Sequence, residues 1–228
     1  MRSKTIRCPS STSLSAIILL AAGALLTGCV TPIPLAQEAP DLNYKATRTV
    51  VVTVLDERDV LAEGKPPTFI GLAHGAFGIP SDMQVYPWFV SDKAKKDQTL
   101  AQALQDRIVV GLADEGWQIT AADFPKFPGK DQVVSLLTER GSDRLIILSL
   151  TKWYASINLN WVSAFNFDWG YRLEVLDAQG TSIASISDAG RDVVDEKADQ
   201  SPQNMIKLAY RERLIKILER PEVQAALK

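Results

Sequence analysis

Leu100, Leu104, Ile108 and Leu112 recur every four residues, a spacing that lines one face of an α-helix. Thr99 stands just before this run with Gln102 three residues on, the pattern of a capping box, and Gly116 marks its end. A second helix is predicted over 131–140, with Val133, Val134, Leu136 and Leu137 inward and Gly141 as its stop. The period then changes to two. Phe165, Phe167, Trp169, Tyr171, Leu173 and Val175 alternate with Asn166, Asp168, Gly170, Arg172 and Glu174, which predicts a strand with one buried and one wet face. Arg144 to Ile157 before it and Thr181 to Val193 after it also read as strands, and short turns make the three an antiparallel meander. Tyr44 to Leu55 is rich in β-branched residues and predicts an early strand, with a short one over 117–120. Ser201 and Pro202 open a last helix with Met205, Leu208, Ile215 and Leu218 inward.

The regularity lapses over 62–96, where four glycines and four prolines interrupt the chain. Thr68–Leu72 and Gln84–Val90 are the apolar pieces that survive, read as a hairpin or a flap. The order is β-(flap)-α-β-α-β-β-β-α. The fold class expected is α/β of the α+β type: a single domain over 44–228 with helices packed on a mixed, partly antiparallel sheet.

The start of the chain has a different character. Arg2, Lys4 and Arg7 precede an apolar run from Leu14 to Leu26, too short to cross a bilayer comfortably, and small residues follow. That is the form of a secretory signal peptide. Its exit, Leu26-Thr27-Gly28-Cys29, resembles the lipobox of bacterial lipoproteins. The resemblance implies cleavage between Gly28 and Cys29, removal of residues 1–28, and acylation of the Cys29 thiol and its new amine, palmitate being among such acyl groups. One acyl chain binds membranes weakly and two or more hold stably, at about 0.8 kcal/mol per buried CH₂. Val30 follows the cysteine where an Asp would mark inner-membrane retention, so the resemblance implies an outer-membrane lipoprotein facing the periplasm. Pro32, Pro34 and Pro40 make residues 29–43 an extended tether in this reading.

Composition adds limits. The 228 residues are 46% hydrophobic and 23% charged, with a net charge of −2, which excludes a disordered chain and a multi-span membrane protein. Arg2, Lys4 and Arg7 leave with the signal peptide, so 22 basic residues face 27 acidic ones, a net of −5. Such a balance gives no reason to expect nucleic acid. Cys8 lies in the removed segment.

Gly141-Ser142-Asp143-Arg144-Leu145-Ile146 resembles the helix-to-strand junction of a fold found in the TolB amino-terminal domain, the curli secretion lipoprotein and an activator lipoprotein of penicillin-binding proteins. Val54-Leu55-Asp56-Glu57-Arg58 with Phe69-Ile70-Gly71 is similar to YajG-type lipoproteins. The resemblance covers about residues 44–219 and implies an envelope protein with no catalytic residues.

Candidate chemistry is sparse. His74 is the only histidine, which leaves no metal-ligand spacing, and Asp56, Glu57, Arg58 and Asp59 read as a solvated turn. No nucleophile elbow or phosphate loop is present. No enzyme activity, cofactor or metal is expected. The aromatic residues say more: Trp161 at a hairpin tip with Tyr86, Trp88 and Phe89 is a candidate exposed patch. The expected function is a membrane-anchored accessory or assembly factor that contacts another envelope protein; the alternative is a small-ligand or peptidoglycan-binding module.

Overall fold

The computed structural model describes residues 32–159, 164–195 and 200–228. Gly28 and Cys29, read as part of a lipobox, and Trp161 lie outside the described residues. In chain order the elements are α1 (Leu35–Glu38), β1 (Val50–Asp56), α2 (Asp59–Ala62), β2 (Phe69–His74), β3 (Pro80–Gln84), α3 (Val85–Trp88) and α4 (Leu100–Asp114). Then come β4 (Ile119–Ala121), α5 (Lys130–Arg140), β5 (Arg144–Asn158), β6 (Ala164–Asp177), β7 (Ser182–Asp195), α6 (Pro202–Leu218) and α7 (Pro221–Leu227).

The long strand β5 is the spine of a seven-stranded mixed sheet. Along one edge it pairs antiparallel with β6, from Arg144–Asp177 to Ile157–Phe165, and β6 pairs in the same sense with β7. The other edge is shared by two strands end to end. Residues Arg144 to Leu150 pair in parallel with β1, and Ala155 to Asn158 pair in parallel with β2. β4 extends the sheet beyond β1, and β3 extends it beyond β2.

Arg58 closes the joint between β1 and β2. It is only 3% exposed. One guanidinium nitrogen donates to the carbonyls of Phe69 (2.7 Å) and Trp153 (3.2 Å), while the other two N–H groups grip the Asp56 carboxylate at 2.7 Å. The side chain thus stands in for backbone donors that neither strand supplies at the gap.

Helices α4 and α6 cover one face of the sheet. Leu100, Leu104, Ile108 and Leu112 of α4 are all fully buried, as their period requires. The Thr99 hydroxyl accepts from the Gln102 N–H, and the Gln102 side chain accepts from the Thr99 N–H. Inward aromatic residues of β5 and β6 meet α6 in a cluster where Tyr210 contacts Trp153 at 5.3 Å and Phe167 at 4.9 Å between ring centres. On the opposite face α5 covers only the lower end, with Val133 and Leu137 packed among Val51, Leu55, Leu145, Ile147 and Leu176.

Gly141 ends α5 in the left-handed conformation (φ 58°). The Asp143 carboxylate then accepts from the backbone N–H and hydroxyl of Thr49 at 3.0 and 2.9 Å. The Gly-Ser-Asp junction therefore staples the start of β5 to the start of β1.

Three expectations change. Of the hairpin or flap expected within 62–96 the hairpin forms and the flap does not: β2 and β3 pair antiparallel and, with α3, are built into the sheet and core. Gly71 makes this possible, because a Cβ there would lie 1.8 Å from the Ala155 carbonyl oxygen. From Pro32 onward the stretch read as a tether is docked on the domain, since Glu38 forms ion pairs with Arg107 (2.5 Å) and Lys207 (2.7 Å) at buried positions. The inward face of α6 is broader than the predicted one. Met205 and Leu218 are buried as expected and Tyr210, Leu214 and Ile217 are fully buried with them, while Leu208 and Ile215 are half-buried; α1 packs on α6 in addition to the sheet.

Candidate interaction surface

The period-two pattern of β6 directs Asp168, Arg172 and Glu174 to the face opposite α4 and α6, the face whose lower end α5 covers. Above the part that α5 covers, these residues and their neighbours on β5 and β7 form a sheet face with no helix on it among the described residues. Charge is organised along it. The Asp168 carboxylate accepts from Arg191 at 2.5 and 3.0 Å and pairs with Lys152 at 3.2 Å. Arg172 pairs with Glu57 at 2.9 Å. The hydrogen bonds from Arg191 hold the Asp168 carboxyl below its ordinary range, against the opposing effect of burial. Burial pushes the neighbouring Tyr154 hydroxyl up, and the Asp168 charge adds to it.

The side of this face carries a hollow of about 250 Å³ between α2 and β5, lined by Asp59, Val60, Glu63, Thr151, Lys152 and Tyr154 over the buried Arg58. Phe69 stands beside Tyr154 at 6.1 Å between ring centres, with the Lys65 ammonium 4.7 Å over its ring and paired with Asp82. Gly170 keeps the centre of the face low, since a Cβ there would meet the Thr151 hydroxyl at 2.8 Å.

No family model matches the chain, and no curated protein matches it by sequence. Comparison with solved structures finds distant likenesses. It is similar to a Xanthomonas campestris protein described by the family model DUF330, at 12% identity and a TM-score of 0.43 over 86% of this chain and 92% of that one. It is similar to the Neisseria meningitidis lipoprotein GNA1162, at 14% identity and a TM-score of 0.28 over 79% and 99% of the two chains. A third likeness is to the LpoB C-terminal domain from Salmonella enterica, at 13% identity and a TM-score of 0.30 over 68% and 87%.

The aromatic residues singled out in the sequence part company. Phe89 is fully buried against Tyr210, 5.1 Å between ring centres, with the Arg107 guanidinium over its other side. It is a core residue and no part of an exposed patch. Tyr86 and Trp88 are half-buried on α3, and Trp88 packs against the core. The Asp56 group, read as a solvated turn, holds the buried Arg58 joint. His74 ends β2 half-buried, and its carbonyl accepts from the Leu159 N–H. Among the described residues, no three metal-ligating side chains converge and no helix is long and apolar enough to cross a membrane.

Lys152, Asp168, Arg172 and Arg191 were missed as a group. The wet phase of the β6 alternation named two of them, but their convergence depends on the register between strands.

Proposed function

We propose that this chain is a lipoprotein of the bacterial envelope, anchored through Cys29 at the periplasmic face of the outer membrane. It acts there without catalysis, by binding another envelope protein through the open face of β5, β6 and β7. The observation that carries the reading is the locked charge ladder on that face. Glu57 and Asp168 are each held by cations, which suits a fixed polar contact and leaves these acids unsuited to passing protons. Arginine at such positions is a common interface residue. The peptidoglycan or small-ligand reading stands second: the hollow at the edge of the face, about 250 Å³, is smaller than the roughly 300–1,000 Å³ of typical ligand sites, and the larger hollows of about 480 and 460 Å³, beside α5 and beside α4, lie away from the charged face.

The test is photocrosslinking in intact cells from a reactive residue at position 187 or 189 on β7, compared with one at Gln179 on the turn at the far end. A discrete crosslinked protein is expected from the face and not from Gln179. The double charge reversal Lys152→Glu with Arg191→Glu abolishes it while the fold is kept. Crosslinks that survive the reversal unchanged overturn the reading.

A further inference from the structure

The loop between β2 and β3 carries Phe77, 99% exposed, and Ile79, 65% exposed. Phe77 is also the one non-glycine residue at positive φ among the described residues, at 61°. Bulky L-residues are uncommon in that region, and residues held there cluster at functional sites. Leu159, 45% exposed, stands next to this loop at the end of β5. Its N–H donates to the His74 carbonyl at 2.9 Å, and His74 lies opposite Asn158 in the sheet. The three side chains therefore share one end of the domain.

The chain enters the domain at that same end. The Ile33 N–H donates to the Asn204 side chain at the start of α6. Helix α6 runs down the sheet from there. Its Tyr210 meets Phe167, and its Arg213 lies 3.6 Å from the ring centre of Trp169 and pairs with Asp192. Asn204, six residues before Tyr210, is about 9 Å higher at 1.5 Å per residue. That is the level of Ala164, where β6 begins. Lys93, Lys95 and Lys96 stand exposed near the same entry, where Lys95 and Ile33 line one hollow. Asp92 and Asp97 beside them offset most of that charge, so apolar contact dominates.

Only two residues, Val30 and Thr31, separate Pro32 from Cys29, so three Cα-to-Cα steps join them. Whatever their conformation, they reach no further than about 10–11 Å. With the docked segment 32–42, here called the strap, pinned by Glu38, a lipid on Cys29 brings this end of the domain to the bilayer surface.

We infer that Phe77, Ile79 and Leu159 form a membrane-contacting end, inserted in the interface of the leaflet that holds the Cys29 acyl chains. The inference rests on the proposed acylation of Cys29. It makes the strap an orienting device: the domain stands on the membrane with its long strands upright and its open face turned sideways.

The test uses the full acylated protein in phosphatidylethanolamine–phosphatidylglycerol vesicles. A polarity-sensitive fluorophore is placed on Phe77→Cys, and in a second sample on Gln179→Cys at the opposite end. Acylated Cys29 offers no competing thiol. Bromines on the lipid acyl chains are expected to quench the probe at 77 several-fold more than the probe at 179, equally at low and high salt. Equal quenching at the two positions overturns the inference even when the mass of the chain shows acylation. A mass without acyl chains overturns both it and the anchoring proposal. In Phe77→Gly with Ile79→Ser, a probe at Leu159→Cys is expected to lose most of its quenching while thermal stability is kept. Quenching at 159 that is unchanged in this variant shows that the loop does not bring the end to the lipid, and it too overturns the inference.

Discussion

Arg58 shows how much a single side chain decides here. It neutralises Asp56 and satisfies two carbonyls at the meeting point of β1, β2 and β5. Its removal leaves the largely buried Asp56 carboxylate unpaired and takes a donor from two carbonyls. Arg58→Met is therefore expected to cost about 3–5 kcal/mol, the range for breaking a buried pair from one side. Arg58→Lys recovers little of this, since an ammonium cannot supply the planar fork. Urea titration of the purified protein reads both values; a loss below about 1 kcal/mol for Arg58→Met contradicts the role. Sequence could not foresee this. In Asp56-Glu57-Arg58-Asp59 the four charges look alike, and burial of one depends on Phe69 and Trp153, the latter 95 positions away.

At the scale of elements, the strap over 32–42 replaces the free tether that its prolines suggest. Its seat is built from two sides. Arg211 donates to the Ala39 carbonyl at 3.0 Å and pairs with Asp41, and Gly111 in α4 lets the Pro40 carbonyl lie where a Cβ would sit 2.2 Å from it. A glycine inside an otherwise strong helix was the one sequence signal of this close approach. Gly111→Ala gains helix propensity, about 1 kcal/mol in an exposed helix. Here it is expected to expel the strap instead, with a net loss of about 1–3 kcal/mol as for other overpacked sites. Amide exchange at residues 37–42 checks this: it should rise sharply while exchange in β5 and β6 stays slow. Strap amides that remain protected show that the helix yields in place of the strap. The elements that sequence did predict closely, α4, α5 and the β5–β6–β7 meander, are those whose signals lie within a few residues. The β2–β3 hairpin was legible only as one of two readings of two short apolar pieces, since its place depends on pairing with β5 some 84 residues on.

For the whole molecule, the two carboxylates that tie distant parts together give stability an acid edge. The Thr49 backbone N–H holds the Asp143 carboxyl below its ordinary value of 3.8, with the Thr49 hydroxyl adding to it. Hydrogen bonds from Arg191 do the same for Asp168. A depressed folded value means that the contribution is complete above the ordinary value and disappears as pH falls below it. Stability measured by urea titration is expected to change little on this account between pH 7 and 5 and to decline below about pH 4. Solvent reaches both groups, so each is worth at most about 1 kcal/mol. In Asp143→Asn with Asp168→Asn the decline should be shallower, by up to about 2 kcal/mol between pH 5 and 3. An unaltered acid profile assigns the decline to other carboxylates.

The sequence by itself determined what is local: the helix of four-residue period with its Thr99 cap, the alternating β6 strand and the stop at Gly141; the run Leu26-Thr27-Gly28-Cys29, on which the anchoring proposal rests, is likewise a local pattern. Each of these rests on groups within a few residues of one another, so the order of residues suffices. Tertiary structure alone decided that β1 and β2 share one edge of β5 around Arg58, that Glu38 is held between Arg107 and Lys207, and that Phe89 turns inward. It also brought Phe77, Leu159 and the entry of the chain to one end. Their partners stand between about ten and 170 positions away, and no local pattern records which buried face or which ion will meet them.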